Sequence, residues 1–119
     1  MLESTGLEGK SVTQWLDIDD ENRLIKQTDT IVPYEGREFG EGISVLDDDS
    51  WVELTWKDGI VNILDRDSLE LLDTMDMWPG VTQGWGITLD PENRILYATD
   101  GSANVTMIDA DTLEQTGQF

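Results

Sequence analysis

The sequence predicts an all-β chain, on two observations. Short apolar or alternating runs are cut by clusters of Gly, Asp, Asn and Pro, with little helical periodicity. Leu64-Asp65-Arg66-Asp67-Ser68-Leu69-Glu70 recurs as Ile108-Asp109-Ala110-Asp111-Thr112-Leu113-Glu114, 44 residues on, and Gly42-Ile43-Ser44 recurs as Gly86-Ile87-Thr88 at the same offset. Repeats of about 40–50 residues with four short strands mark β-propeller blades, which stack because one blade cannot bury both of its faces alone. The chain holds about 2.7 such units where closed rings have about four to eight. It reads as an incomplete propeller of two to three four-stranded blades, one partial domain over residues 1–119.

Strands are expected near Ser11–Ile18, Arg23–Thr30, Gly42–Leu46, Trp51–Trp56, Ile60–Asp65, Leu69–Met75, Trp85–Leu89, Ile95–Thr99, Val105–Asp109 and Leu113–Phe119. Between them lie explicit turns: Asp19-Asp20-Glu21-Asn22, Asp47-Asp48-Asp49-Ser50, Lys57-Asp58-Gly59, Asp90-Pro91-Glu92-Asn93 and Asp100-Gly101-Ser102. Asp and Asn side chains bond to their own turn backbone, and Gly supplies positive φ. Leu16-Asp17-Ile18-Asp19-Asp20 reads as an earlier copy of the repeated motif, with Asp17 aligned on Asp65. The Asp47-Asp48-Asp49 run lacks the ligand spacing of an EF-hand and is expected to be a solvated hairpin turn.

Seven Lys and Arg stand against 26 Asp and Glu, a formal net charge of -19, so nucleic acid and anionic membranes are not expected partners. At 38% hydrophobic residues the chain is expected to fold. The acids are spread through every segment, which fits a salt-rich, halophilic setting; added salt is then expected to raise the melting temperature, and no gain would count against that reading. Without Cys or His, disulfides, thiolate and imidazole metal sites and Ser-His-Asp triads are excluded. No cofactor or metal is expected. Residues 1–6 have neither the basic nor the apolar region of a secretory leader, and no apolar run approaches a membrane span, so no compartment is assigned.

Candidate site residues come from Phe39-Gly40-Glu41-Gly42-Ile43, a carboxylate held between two glycines, followed by Leu54-Thr55-Trp56 and Gly84-Trp85-Gly86. Glycine permits close backbone approach, so a lone acid or Trp between glycines points to a packed or concave spot. On pattern alone, strand bends and core-filling tryptophans account for the same residues.

Taken in order with Leu2-Glu3-Ser4-Thr5-Gly6, Gly86-Ile87-Thr88, Leu96-Tyr97 and Asp100-Gly101-Ser102, these motifs resemble the plant and bacterial type of glutaminyl cyclase, across nearly all 119 residues. The resemblance implies a five-bladed, metal-independent propeller that converts N-terminal glutamine of peptides or proteins to pyroglutamate with release of ammonia. It assigns Glu41 as the catalytic acid that binds the substrate α-amine and moves its proton, and Trp56 and Trp85 as pocket walls that bind substrate. An aromatic wall excludes water and attracts a cationic amino terminus.

The family's Phe-Thr-Gln-Gly-Leu and Asn-Glu-Leu-Glu segments, a further tryptophan motif and a pocket lysine have no counterpart here, and Met1 stands where Tyr is usual, as in a chain cut within a blade. Acting alone, the chain is expected to be weakly active or inactive, with self-association or a complementary chain as the ways to complete the ring. The alternative is a non-enzymatic propeller fragment that binds a partner or self-assembles.

Overall fold

A computed structural model describes residues 2–6, 11–21, 23–33 and 39–119, with 24–33 as backbone only. The Met1 position and the Asn22 end of the first turn lie outside the described residues. Among the described residues all helix and strand structure is β: β1 (Leu2–Ser4), β2 (Val12–Ile18), β3 (Leu24–Pro33), β4 (Gly40–Val45), β5 (Ser50–Thr55), β6 (Ile60–Asp65), β7 (Leu71–Asp76), β8 (Ile87–Asp90), β9 (Ile95–Thr99), β10 (Val105–Asp109) and β11 (Gln115–Gln118). They form three antiparallel meanders, β1-β2-β3, β4-β5-β6-β7 and β8-β9-β10-β11. Two four-stranded blades and a three-stranded sheet are thus present, as the repeat predicts.

The repeated motif is a turn, and its chemistry recurs 44 residues on. Asp65 Oδ1 accepts from the Asp67 and Ser68 amides at 3.0 and 2.8 Å, and Asp109 Oδ1 from the Asp111 and Thr112 amides at 2.9 and 2.8 Å. In both, a leucine follows in the left-handed region, Leu69 at φ 60° and Leu113 at φ 57°. That conformation ends strand pairing, so β7 and β11 start at Leu71 and Gln115, two residues later than the sequence predicts.

In the first sheet the equivalent acceptor is Asp19, which binds the Glu21 and Arg23 amides at 3.0 and 2.8 Å. The alignment of Asp17 on Asp65 is therefore corrected by two residues: Asp17 pairs within β2, and the turn begins after Ile18. The short β1, which the sequence reading omits, matches β5 in its bonding. Thr5 Oγ1 donates to the Val12 carbonyl and accepts its amide, as Thr55 Oγ1 does with Ile60. So β1, β2 and β3 repeat the second to fourth strands of the other sheets.

The second sheet is covered on both faces. Val52, Leu54 and Val61 pack with Ile87, Leu96 and Ile108 of the third sheet. The alternate positions of β5 turn to the first sheet, where Trp51 meets Trp15 edge-on at 5.7 Å and Glu53 meets Thr13. Two polar ties reinforce the seam to the third sheet. Arg94 donates to the Leu46 carbonyl at 2.8 Å while holding Asp111, and Trp78 Nε1 donates to the Leu113 carbonyl at 2.8 Å. The first strands of the two complete sheets, β4 and β8, lie side by side, which sets the position of the candidate site. Among the described residues no helix is long and apolar enough to cross a membrane.

Candidate functional site

Glu41 sits on a β-bulge. Gly40 opposes Thr55 and Ile43 opposes Glu53, so Glu41 and Gly42 together face the single residue Leu54. A bulge re-aims side chains and frees backbone groups from the ladder. The Gly42 amide turns to the neighbouring sheet and donates to the Trp85 carbonyl at 2.7 Å. A Cβ on Gly42 would lie 2.5 Å from that oxygen and 2.8 Å from Ile87 N, so only glycine allows β4 and β8 to approach this closely.

A second stitch lies beside it. The Gly84 amide donates to the Thr55 and Trp56 carbonyls, both at 3.0 Å, and a Cβ there would come within 2.4 Å of Thr55 O. The chain of contacts therefore runs from Trp56 through Gly84 and Trp85 to Gly42 and Glu41. All three sequence-predicted site residues are joined through backbone, Glu41 and Trp56 from the second sheet and Trp85 from the segment that leads into the third.

The Glu41 carboxyl is half-buried, and desolvation raises it above the ordinary glutamate value; among the described residues no bonded partner offsets the shift. Trp85 is 47% exposed, and its indole rests against Gly101, where a Cβ would lie 3.2 Å from both Cε2 and Nε1. Trp56 is half-buried, with the Phe39 ring at 5.3 Å and 51°. The Lys57 ammonium stands 3.7 Å from the Trp56 ring centroid, so this indole already attracts a cation. Trp56 Nε1 is buried without a partner among the described residues. No group of three or more acidic side chains is placed to hold a metal ion among the described residues. Asp47 instead binds the Asp49 amide and the Ser50 hydroxyl, the hairpin turn expected from sequence.

Three features escaped the sequence reading. Phe39 is more than a flank: its carbonyl accepts from the Trp56 amide at 2.8 Å and its ring fills the space over Gly6. Asp100 is buried and binds Thr82 as well as its own turn. Glu53 is wholly buried, one strand away from the bulge. Phe39 and Asp100 each carried a sequence signal, within Phe39-Gly40-Glu41-Gly42-Ile43 and Asp100-Gly101-Ser102, but not the partners they meet; Glu53 carried none.

Residues 1–119 match the glutamine cyclotransferase family over their full length. The fold is similar to the crystal structure of Myxococcus xanthus glutaminyl cyclase, with a TM-score of 0.74 and 21% identity over 98% of this chain and 44% of that one. It is also similar to the Neurospora crassa Pan2 WD40 domain, at TM-score 0.63 and 10% identity over 98% and 35% of the two chains. Kuenenia stuttgartiensis hydrazine synthase follows at TM-score 0.57 and 12% identity, over 92% and 29%. No match is found among curated protein sequences. The chain spans less than half the length of the cyclase it resembles. Through its full-length family match, and with the incomplete propeller architecture described above, the chain belongs to the glutamine cyclotransferase family.

Proposed function

We propose that residues 1–119 form part of a propeller domain that cyclises N-terminal glutamine, with Glu41 as proton carrier and Trp56 and Trp85 as walls of the substrate site. The observation that supports this reading is the bulge that holds Glu41 and Gly42, whose Gly42 amide bonds the Trp85 carbonyl and so brings the Glu41 strand against the Trp85 segment. In the reaction the carboxylate takes a proton from the substrate α-ammonium, and the freed nitrogen attacks the side-chain amide carbon. The new C–N bond closes the lactam and the old one breaks; Glu41 returns its proton to the departing nitrogen, which leaves as ammonia, and the ring nitrogen gives up its second proton to solvent. Desolvation suits the acid to both halves of this transfer, because a raised carboxyl pKa lies nearer the working pH. The substrate ammonium would displace Lys57 from the Trp56 face or share that face with it.

Ammonia release from a Gln-initiated peptide tests the reading. Glu41→Gln is expected to slow it by about 10²–10⁴-fold, and the wild-type rate should rise with pH through the raised Glu41 value, because the basic form starts the reaction. Full activity in Glu41→Gln removes the catalytic assignment; no ammonia from the wild-type chain removes the reading of this chain as a cyclase on its own.

A second reading, association with a further chain, is favoured by the outer face of the third sheet. There Tyr97 meets Phe119 edge-on at 6.4 Å, and Phe119 is 68% exposed. Sedimentation at several concentrations checks it, and a monomer throughout would count against self-assembly.

A further inference from the structure

Trp85 carries a large exposed ring, so something must fix its place. Its backbone is well tied: the Trp85 amide donates to the Thr99 carbonyl at 3.1 Å, and its own carbonyl accepts from Gly42. The ring itself rests on Gly101, which has φ 80° and no Cβ to push it away.

Both sides of that arrangement converge on one buried carboxylate. Asp100 Oδ2 accepts from Thr82 Oγ1 at 2.9 Å and from the Thr82 amide at 3.3 Å, on the segment leading into Gly84-Trp85. Asp100 Oδ1 accepts from the Ser102 amide at 3.0 Å, on the turn that contains Gly101. We propose that Asp100 is a positioning residue for Trp85, clamping the segment that carries the indole to the turn on which the indole rests.

Hydrogen bonds from Ser102, then from Thr82, hold the Asp100 carboxyl well below the usual carboxylate range. The clamp is therefore ionised at any working pH. An amide cannot replace it: the donors reaching the two oxygens need acceptors on both arms, and an Asn turns an N–H toward one of them. The inference rests on the reading of Trp85 as a substrate wall, but it can be judged apart from that reading.

Two measurements on the 119-residue chain test it. The near-UV circular dichroism of Trp85 is obtained as the difference between wild type and Trp85→Phe, and Asp100→Asn is expected to lose at least half of it. Affinity for a Gln-initiated peptide is expected to fall about tenfold in Asp100→Asn, with no further fall when Asp100→Asn is added to Trp85→Phe. An unchanged Trp85 band, or an equal loss of affinity in both backgrounds, overturns the proposal, since a merely structural role would act without Trp85.

If far-UV circular dichroism shows Asp100→Asn unfolded, Thr82→Val decides, because it removes one donor and leaves the carboxylate. It should also weaken the Trp85 band, and no change overturns the clamp. If the wild type binds no Gln-initiated peptide, the substrate reading falls, and the clamp is then accepted or rejected on the Trp85 band alone.

Discussion

Gly42→Ala is expected to destabilise the protein by about 3 kcal/mol and to separate the Glu41 bulge from Trp85. The added methyl would meet Trp85 O at 2.5 Å, Ile87 N at 2.8 Å and Gly86 Cα at 2.9 Å, all of them backbone atoms that cannot rotate aside. Overpacking of this kind costs about 1–3 kcal/mol, and loss of the Gly42–Trp85 hydrogen bond adds about 1 kcal/mol. Gly86→Ala is the matched control. Its methyl would meet only the Thr99 hydroxyl, at 3.2 Å, so its effect should stay well below that of Gly42→Ala. Urea midpoints of the two variants check the contrast. Equal midpoints would mean that the β4–β8 approach is looser than described.

Glu53→Gln is expected to stabilise the protein at neutral pH. Glu53 is wholly buried between the first and second sheets, and Thr13 Oγ1 donates to its Oε1 at 2.7 Å. Its Oε2 has no bonded partner among the described residues, and Ser4 Oγ, beside it, has none either. Burial raises the carboxyl above the usual glutamate value; the polar side chains around it offset this only in part, and of them Thr13 is the one in bonding geometry. An acid whose folded pKa is raised holds its proton more tightly folded than unfolded. The stability this contributes is full below the unfolded value and is lost as pH rises through the folded one.

The wild type should therefore weaken relative to Glu53→Gln as pH climbs above the ordinary carboxyl range. The gap should reach about 1–3 kcal/mol, the usual cost of a buried unsatisfied polar group. The wild-type minus variant difference isolates this effect from turn aspartates such as Asp47 and Asp65, whose lowered values act with the opposite sign. Denaturation from about pH 5 to 8 gives that difference, and a flat curve would show Glu53 to be ionised and content.

Local chemistry is what the sequence made legible. The Asp65 and Asp109 turns encode their own hydrogen bonds within a few residues, and the 44-residue offset carried the blade count. The glycines around Glu41 marked a close approach correctly, though not its form: a bulge depends on which residue of β5 lies opposite. Glu53 stayed hidden for a related reason. In Trp51-Val52-Glu53-Leu54 the alternation puts Glu53 on the face opposite Val52 and Leu54, which in a sheet with one open side would be the wet one. Here the first sheet covers that face. Asp100 read as an ordinary turn residue because its second partner, Thr82, lies 18 residues away.

The Gly42–Trp85 hydrogen bond joins residues 43 positions apart (85 − 42), and it forms only once two separately hydrogen-bonded sheets have docked. Each meander can assemble from contacts that are near in sequence, so such a seam is expected to close last, after the loop entropy between the sheets has been overcome. Trp85 is thus placed to act as a clock for folding. Its signal should appear in a slower phase than the β-sheet signal in refolding kinetics, which would make the candidate site the final part of the molecule to take shape.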